Sequence, residues 1–171
     1  MTEVAVAFKG SVLSVGELVA RAQAAPEPDW KALYGHVGLR NDAADAALEC
    51  ARLLREGESA NTGWRFGILQ SVDYYDSCVR RGGVELGARV FDREPAPTGS
   101  TRLDAAFAAL AEHLAVRDGW PVPRWALSAA RSTDRWYVAQ SPAFYAEADQ
   151  QSPPAFRSRG VYISANALDR A

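Results

Sequence analysis

The sequence is poor in the residues that bind metals or form covalent crosslinks. It contains two cysteines, Cys50 and Cys78, and two histidines, His36 and His113. The cysteines lie far apart on predicted helices and show no Cys-x-x-Cys spacing, so we predict buried, reduced thiols. A structural zinc site needs about four ligands, and these residues do not supply such a set. The sequence therefore predicts no metal and no cofactor.

Lysine is also scarce, with Lys9 and Lys31 as the only examples, and arginine supplies the remaining basic charge. The 19 basic residues stand against 21 acidic ones, which gives a net charge of −2. Domains that bind nucleic acid through a broad surface usually have a basic pI. We therefore expect no nucleic acid among the partners.

Long hydrophobic runs are missing as well. No apolar stretch approaches the ~20 residues that span a bilayer, and the first residues lack the basic and apolar regions of a signal peptide. We expect a cytoplasmic protein without a membrane partner. A chain of 171 residues with 48% hydrophobic and 23% charged residues suits one folded domain. The prediction is a single helical domain over 1–171, with a subdivision into 1–94 and 95–171 as the alternative.

The hydrophobic spacing predicts an all-α fold of about eight or nine helices. Residues 14–17 and 101–104 have the pattern of capping boxes, and Asp42 with Asp45 can cap a further helix. The clearest apolar face belongs to a helix over about 101–117, and its residues are Leu103, Phe107, Leu110 and Leu114. The pair Gly82-Gly83 ends another helix that begins near residue 63.

The remaining elements are short. Residues 4–8 and 161–163 read as extended segments, and residues 28–34 as a short helix. Prolines at 123, 142 and 153 each read as the first position of a short helix.

Three residues are candidates for catalysis, and each has a structural alternative that we favour. His113 could act as a general base but lies at the flank of an apolar helix face. Asp73 and Asp76 fall at i and i+3, a spacing that can bind Mg²⁺ or perform acid–base chemistry. Asp76 also precedes Arg80 by four residues, which favours a helix ion pair. No nucleophile elbow or phosphate-binding loop occurs, so we do not expect an enzyme.

Aromatic residues are concentrated in the C-terminal third. Aromatics and arginine dominate the energetics of protein interfaces, although they also fill small cores. From this region we select four candidate partner-binding residues: Trp125, Tyr145, Arg157 and Arg159.

Four local patterns in the second half occur in a fixed order. They are residues 97–115 (PTGSTRLDAAFAALAEHLA), 121–125 (PVPRW), 134–138 (DRWYV) and 152–164 (SPPAFRSRGVYIS). Together they resemble a group of actinobacterial antitoxin-like proteins that are paired with nucleotidyltransferase-type toxins. The resemblance covers somewhat under half of the chain and implies a protein that binds and restrains a toxin-like partner.

Many proteins of that group carry an N-terminal helix-turn-helix that binds operator DNA. Before residue 60 this sequence shows no pair of short helices joined by a tight turn and no basic recognition helix. The resemblance therefore implies partner binding more than DNA binding. A DNA-binding regulator with an unrecognised helix-turn-helix is the first alternative, and an enzyme with an unfamiliar site around His113 or Asp73 and Asp76 is the second.

Overall fold

A computed structural model of the chain describes residues 14–26, 39, 41–138, 141–164 and 166–169. The predicted segments at 4–8 and 28–34 lie outside these residues, as do His36 and both lysines. The described part of the chain is mostly helical, as the sequence predicted. Within it, no helix combines the length and the apolar character needed to cross a bilayer.

Seven α-helical stretches follow one another along the described chain. They are α1 (Val15–Ala24), α2 (Ala43–Arg55), α3 (Ala60–Gly63), α4 (Leu69–Ala88), α5 (Thr101–Asp118), α6 (Tyr145–Gln151) and α7 (Pro154–Arg157). A π-helical turn, Trp64–Ile68, joins α3 to α4 without interruption. Counted with this run as one helix, the described residues contain six helices, so the predicted eight or nine is wrong. A helical segment begins at Pro142 as predicted, because the 3₁₀ turn Pro142–Phe144 runs directly into α6. The segment after Pro123 is a single 3₁₀ turn, Arg124–Leu127.

Side-chain caps start the first two helices where the sequence placed them. Ser14 and Glu17 form the predicted capping box at the start of α1. At α2, Asp42 Oδ1 accepts the backbone N–H groups of Ala44 and Asp45, both at 3.0 Å. These bonds satisfy amides that the first helical turn leaves without a partner.

Helix α5 is the centre of the molecule, and the predicted apolar face is confirmed. Leu103, Phe107 and Leu110 are 0% exposed and Leu114 is 1% exposed. The alanines between them are also buried, so neighbouring elements approach α5 from several sides. It packs against α7, the Arg124–Leu127 turn and the π-helical turn. One cluster of buried side chains runs from α2 to the last strand.

The capping box predicted at residues 101–104 is wrong. Helix α5 begins after Ser100, which makes no side-chain cap. Asp104 instead accepts hydrogen bonds from the backbone N–H and the hydroxyl of Thr98, both at 2.8 Å. The carboxylate therefore fixes the connector that precedes the helix.

The long helix α4 changes direction where the sequence predicted an end. Its backbone leaves helical geometry at Gly82 and Gly83, and helical residues then continue to Ala88. A 3₁₀ turn, Arg89–Phe91, follows. The break separates the two buried parts of this helix, which pack around Tyr75 and Leu86.

Two short strands bring the aromatic motifs of the C-terminal third together. Strand β1 (Trp136–Tyr137) pairs in parallel with β2 (Val161–Tyr162), with Trp136 opposite Val161. Gly160 precedes β2 with φ of 80°. A Cβ at this position would collide with the Thr133 carbonyl oxygen. The close approach of these two backbone segments therefore accepts only glycine without rearrangement.

Candidate functional site

A patch of tyrosines and arginines lies at the surface beside the two strands. We define the tyrosine–arginine patch as Arg135, Tyr137, Tyr145, Asp149 and Arg157. The alternation of strand β1 turns Trp136 into the core, at 5% exposure, and leaves Tyr137 half-buried at the surface. Helix α6 supplies Tyr145 at its first position and Asp149 one turn later, and α7 ends at Arg157.

Stacked rings organise the patch. The Tyr137 and Tyr145 rings lie 3.7 Å apart between centroids, with 9° between their planes. The more deeply buried Tyr162 supports Tyr137 at 5.1 Å. The Arg135 guanidinium lies over the Tyr162 ring at 4.8 Å, within the range of cation–π attraction. The rings are therefore ordered before any ligand arrives.

Hydrogen bonds fix the polar edge of the same patch. Tyr137 Oη donates to Asp149 Oδ1 at 2.9 Å and accepts from Arg135 Nη1 at 3.0 Å. Desolvation, followed by the hydrogen bond to Asp149, raises the pKa of Tyr137, which keeps the phenol protonated. Arg157 is exposed, and within the described residues its one hydrogen bond goes to the Asp149 backbone carbonyl, at 3.4 Å. Its charge is consequently available to a ligand.

The four predicted partner-binding residues fall into two pairs. Tyr145 and Arg157 belong to the patch at the surface. Trp125 is 8% exposed, and its indole N–H donates to the Phe91 carbonyl at 3.0 Å, so its ring lies in the core. The Arg159 side chain is 11% exposed and forms an ion pair with Glu112.

Three patch residues, Arg135, Tyr137 and Asp149, were not selected from the sequence. Residues 136–138 read as a compact apolar run, and only the period of a strand predicts that Tyr137 faces away from Trp136. That signal requires knowing that the run is extended.

A groove of about 680 Å³ lies between α2 and α4. Ala46, Leu53, Phe66 and Tyr74 supply apolar surface, and Asp45, Glu49, Arg52 and Asp73 are the charged residues that line it. Phe66 is 47% exposed and belongs to the π-helical turn, a geometry that is frequent at functional sites.

The three catalytic candidates have different surroundings. Asp73 lines the groove. Asp76 forms an ion pair with Arg117 of α5 at 3.5 Å. The sequence had predicted an ion pair with Arg80. His113 is half-buried with its ring edge-on to Phe156, 5.9 Å away. Burial, followed by the charge of Arg117, lowers the pKa of His113.

A hydrogen-bonded network beside His113 joins α4 to α5. Tyr75 Oη donates to Asp118 Oδ2 at 2.6 Å and accepts from the Trp120 indole N–H at 2.9 Å. Hydrogen bonds from Arg117, which is the larger cause, and from Tyr75 lower the pKa of Asp118. Each member has a partner inside the network, which makes its role structural.

The cysteines lie in the core, as predicted. Cys50 and Cys78 are both 0% exposed and carry free thiols. Burial raises the pKa of Cys50 to about 12, so it holds no nucleophilic thiolate at neutral pH. Among the described residues, no group of three or more His, Cys, Asp or Glu side chains is placed to hold a metal ion.

The chain matches no known protein family, no curated protein and no solved structure.

Proposed function

We propose that this chain is an antitoxin-like interaction module that binds and restrains a partner protein. A nucleotidyltransferase-type toxin is the candidate partner. The tyrosine–arginine patch carries the proposal, because it joins the residue types that dominate interface energies on one surface. Three of its residues also lie within the motifs that resemble the antitoxin-like group: Arg135, Tyr137 and Arg157.

The geometry of the patch favours binding at low entropic cost. Tyrosine has few rotatable bonds, and here Tyr137 and Tyr145 already stack on each other. Ordering a flexible interface side chain on binding costs about 0.5–1.5 kcal/mol. The stacked rings of Tyr137 and Tyr145 are already ordered in the unbound protein, which reduces this cost. Arg157 adds a cation that can form a paired hydrogen bond with a carboxylate of the partner.

The positions of the four predicted residues reduce the number of them that we assign to the contact with the partner. Tyr145 and Arg157 lie at the surface, so the proposal assigns the contact to them together with Arg135 and Tyr137. Trp125 and Arg159 support the fold beneath and beside this surface through the Phe91 carbonyl and Glu112.

The test is co-purification with the protein encoded in the neighbouring reading frame, followed by calorimetric titration. We expect a nucleotidyltransferase-like protein there that inhibits growth alone and is neutralised by this chain. Tyr145→Ala and Arg157→Ala should each weaken binding by about 2 kcal/mol or more, roughly thirtyfold. Their melting temperatures should stay close to that of the unchanged protein.

Leu127→Ala is the matched control, because Leu127 is 59% exposed and lies outside the patch. It should change neither binding nor melting. Full binding by a Tyr145→Ala/Arg157→Ala double variant would overturn the assignment of the surface. A neighbouring protein that is neither toxic nor bound by this chain would overturn the function.

A further inference from the structure

Helix α1 exposes an apolar face. Val15, Leu18 and Val19 are 77%, 52% and 49% exposed, and none of the ten residues of α1 is buried. Positions i, i+3 and i+4 lie on one side of a helix, so these side chains form a continuous stripe. An isolated helix shorter than about 12 residues is marginal in water, and burying this stripe would stabilise α1.

Within the part of the chain that the structure describes, no segment covers the α2–α4 groove, and its concave surface is partly apolar, like the stripe on α1. Phe66, Leu53 and Ala46 provide apolar contact. Helix α1, with ten residues, is about 15 Å long, shorter than the 13-residue helix α2 that forms one wall. The groove can therefore take the whole apolar stripe of such a helix.

Charge complementarity supports the match. Arg52, the cation that lines the groove, lies between Glu49 and Glu56 with 2.5 Å to each. Asp45 shares the guanidinium of Arg93 with Asp42. Each of these arginines is outnumbered by its carboxylates, so this side of the groove is net acidic.

On α1, Arg21 follows Leu18 by three residues and flanks the apolar stripe. Its positive charge would face the carboxylates of the groove when the stripe is buried there. The helix thus offers an apolar stripe of fitting length with a cation at its edge, while the one carboxylate of α1, Glu17, accepts hydrogen bonds from Ser14.

We propose that α1 of one copy of this chain binds the α2–α4 groove of a second copy, which gives a two-fold symmetric dimer. Two reciprocal contacts of this size bury on the order of 1,000–1,500 Å², near the lower end of specific interfaces. A second copy is the favoured occupant because α1 and the groove are both exposed in the described chain, so α1 does not fill the groove of its own chain. Closed two-fold symmetry also satisfies both pairs at once.

The first test is the mass of the full chain in solution, measured by light scattering over a range of concentrations. The unchanged protein should be a dimer, and Leu18→Glu or Phe66→Glu should each be a monomer that keeps its helix content apart from the ten residues of α1. Val116→Glu is the matched control, because Val116 is 72% exposed on α5 and lies outside the proposed contact. This variant should remain a dimer.

The second test separates helix from groove. Leu18→Glu keeps an intact groove and Phe66→Glu keeps an intact α1, so a mixture of the two should restore one contact. A synthetic peptide of residues 14–26 should bind Leu18→Glu and shift the NMR signals of groove residues such as Phe66 and Tyr74. The same peptide carrying Leu18→Glu should bind at least about tenfold more weakly.

Several outcomes would overturn the proposal. The first is that the unchanged protein is a monomer at concentrations of about 200 µM, where even weak dimers form. The second is that the Leu18→Glu variant is still a dimer. Peptide-induced shifts outside the groove would also do so. If the unchanged protein is a monomer and its groove signals move on Leu18→Glu, then α1 binds the groove of its own chain. This result would also reject the dimer.

Discussion

Leu110 lies at the middle of the most buried helix and is 0% exposed. Replacing it with alanine removes three carbon atoms from a closely packed interior and leaves a cavity. We expect Leu110→Ala to reduce the free energy of unfolding by ~2–5 kcal/mol, as measured by denaturant titration. Val116→Ala on the same helix, at a 72% exposed position, should change it by less than about 0.5 kcal/mol. Equal effects of the two changes would mean that the burial of α5 is wrong.

His113 makes stability depend on pH in a defined direction. Burial and Arg117 lower its pKa below the ordinary value of 6.5, while Asp118 opposes them. Between the folded and unfolded pKa values, the unfolded state therefore binds more protons. The contribution of neutral His113 to stability is complete above pH 6.5 and is lost as the pH falls through that value toward the folded pKa.

We expect the free energy of unfolding to decrease between about pH 7.5 and about pH 5.5, above the range in which carboxylates titrate. In His113→Gln this slope should be reduced, because glutamine does not titrate. The measurement is denaturant unfolding at several pH values in buffers of constant ionic strength. An unchanged slope in the variant would assign the proton uptake to another group.

At the scale of elements, Arg159 connects three parts of the C-terminal half. Its Nη1 lies 2.5 Å from Glu112 Oε2 of α5 and donates to the Ala155 carbonyl of α7 at 3.1 Å. Its Nη2 donates to the Ala126 carbonyl at 2.5 Å. Arg159 Nε is buried without an acceptor, and Glu112 Oε2 lacks hydrogen-bond alignment, so charge attraction is the main term in this pair.

Removing Arg159 should therefore destabilise the fold. Arg159→Ala leaves a largely buried carboxylate unpaired and removes a donor from the Ala126 carbonyl, while the Ala155 carbonyl keeps the Ser158 hydroxyl. We expect a loss on the order of 3 kcal/mol. The double variant Glu112→Ala/Arg159→Ala should lose less than the sum of the two single variants, because the uncompensated charge is gone. Thermal and denaturant unfolding measure both values. A loss under about 0.5 kcal/mol would instead favour the original assignment of Arg159 to a partner surface.

The sequence predicted the elements whose signals are local. The Ser14–Glu17 capping box, the buried face of α5 around Leu110 and the interruption at Gly82 depend on neighbouring residues, and the structure confirms them. Of the five residues in the tyrosine–arginine patch, the sequence analysis selected two. Tyr145 and Arg157 were selected for residue type in a region rich in aromatics.

The missed features depend on contacts between distant residues. The apolar spacing of α2 places Leu48 on one face with the buried Ala44 and Ala47, yet Leu48 is 57% exposed while Cys50 lies in the core. Gly67 explains why Cys50 is buried instead of Leu48, because the π-helical turn packs its bare backbone against Cys50. Nothing in the spacing of α2 reveals where that turn will pack. The stack of Tyr137 on Tyr145 likewise requires the pairing of β1 with β2, which joins residues about 25 positions apart.

At the scale of the whole molecule, charges of opposite sign are interspersed and paired. Among the described residues, seven arginines lie within 4.0 Å of a carboxylate. They are Arg52, Arg89, Arg93, Arg117, Arg131, Arg135 and Arg159. Neutralising phosphates requires clustered cations without such partners. The surface therefore offers little continuous positive potential to a duplex.

We accordingly expect the isolated protein to bind duplex DNA weakly, in the range of about 10⁻⁴–10⁻⁶ M that is typical of non-specific binding. Fluorescence anisotropy at several salt concentrations measures both the affinity and its salt dependence. The slope of log K against log[salt] should correspond to few released counterions, because seven of the described arginines already face carboxylates and acidic residues outnumber basic ones. Arg157→Ala should weaken this residual binding no more than it weakens binding to a scrambled duplex. Nanomolar binding to one duplex at physiological salt, with discrimination of about 10³ or more over a scrambled one, would contradict the prediction and make the DNA-binding regulator the better account of this protein.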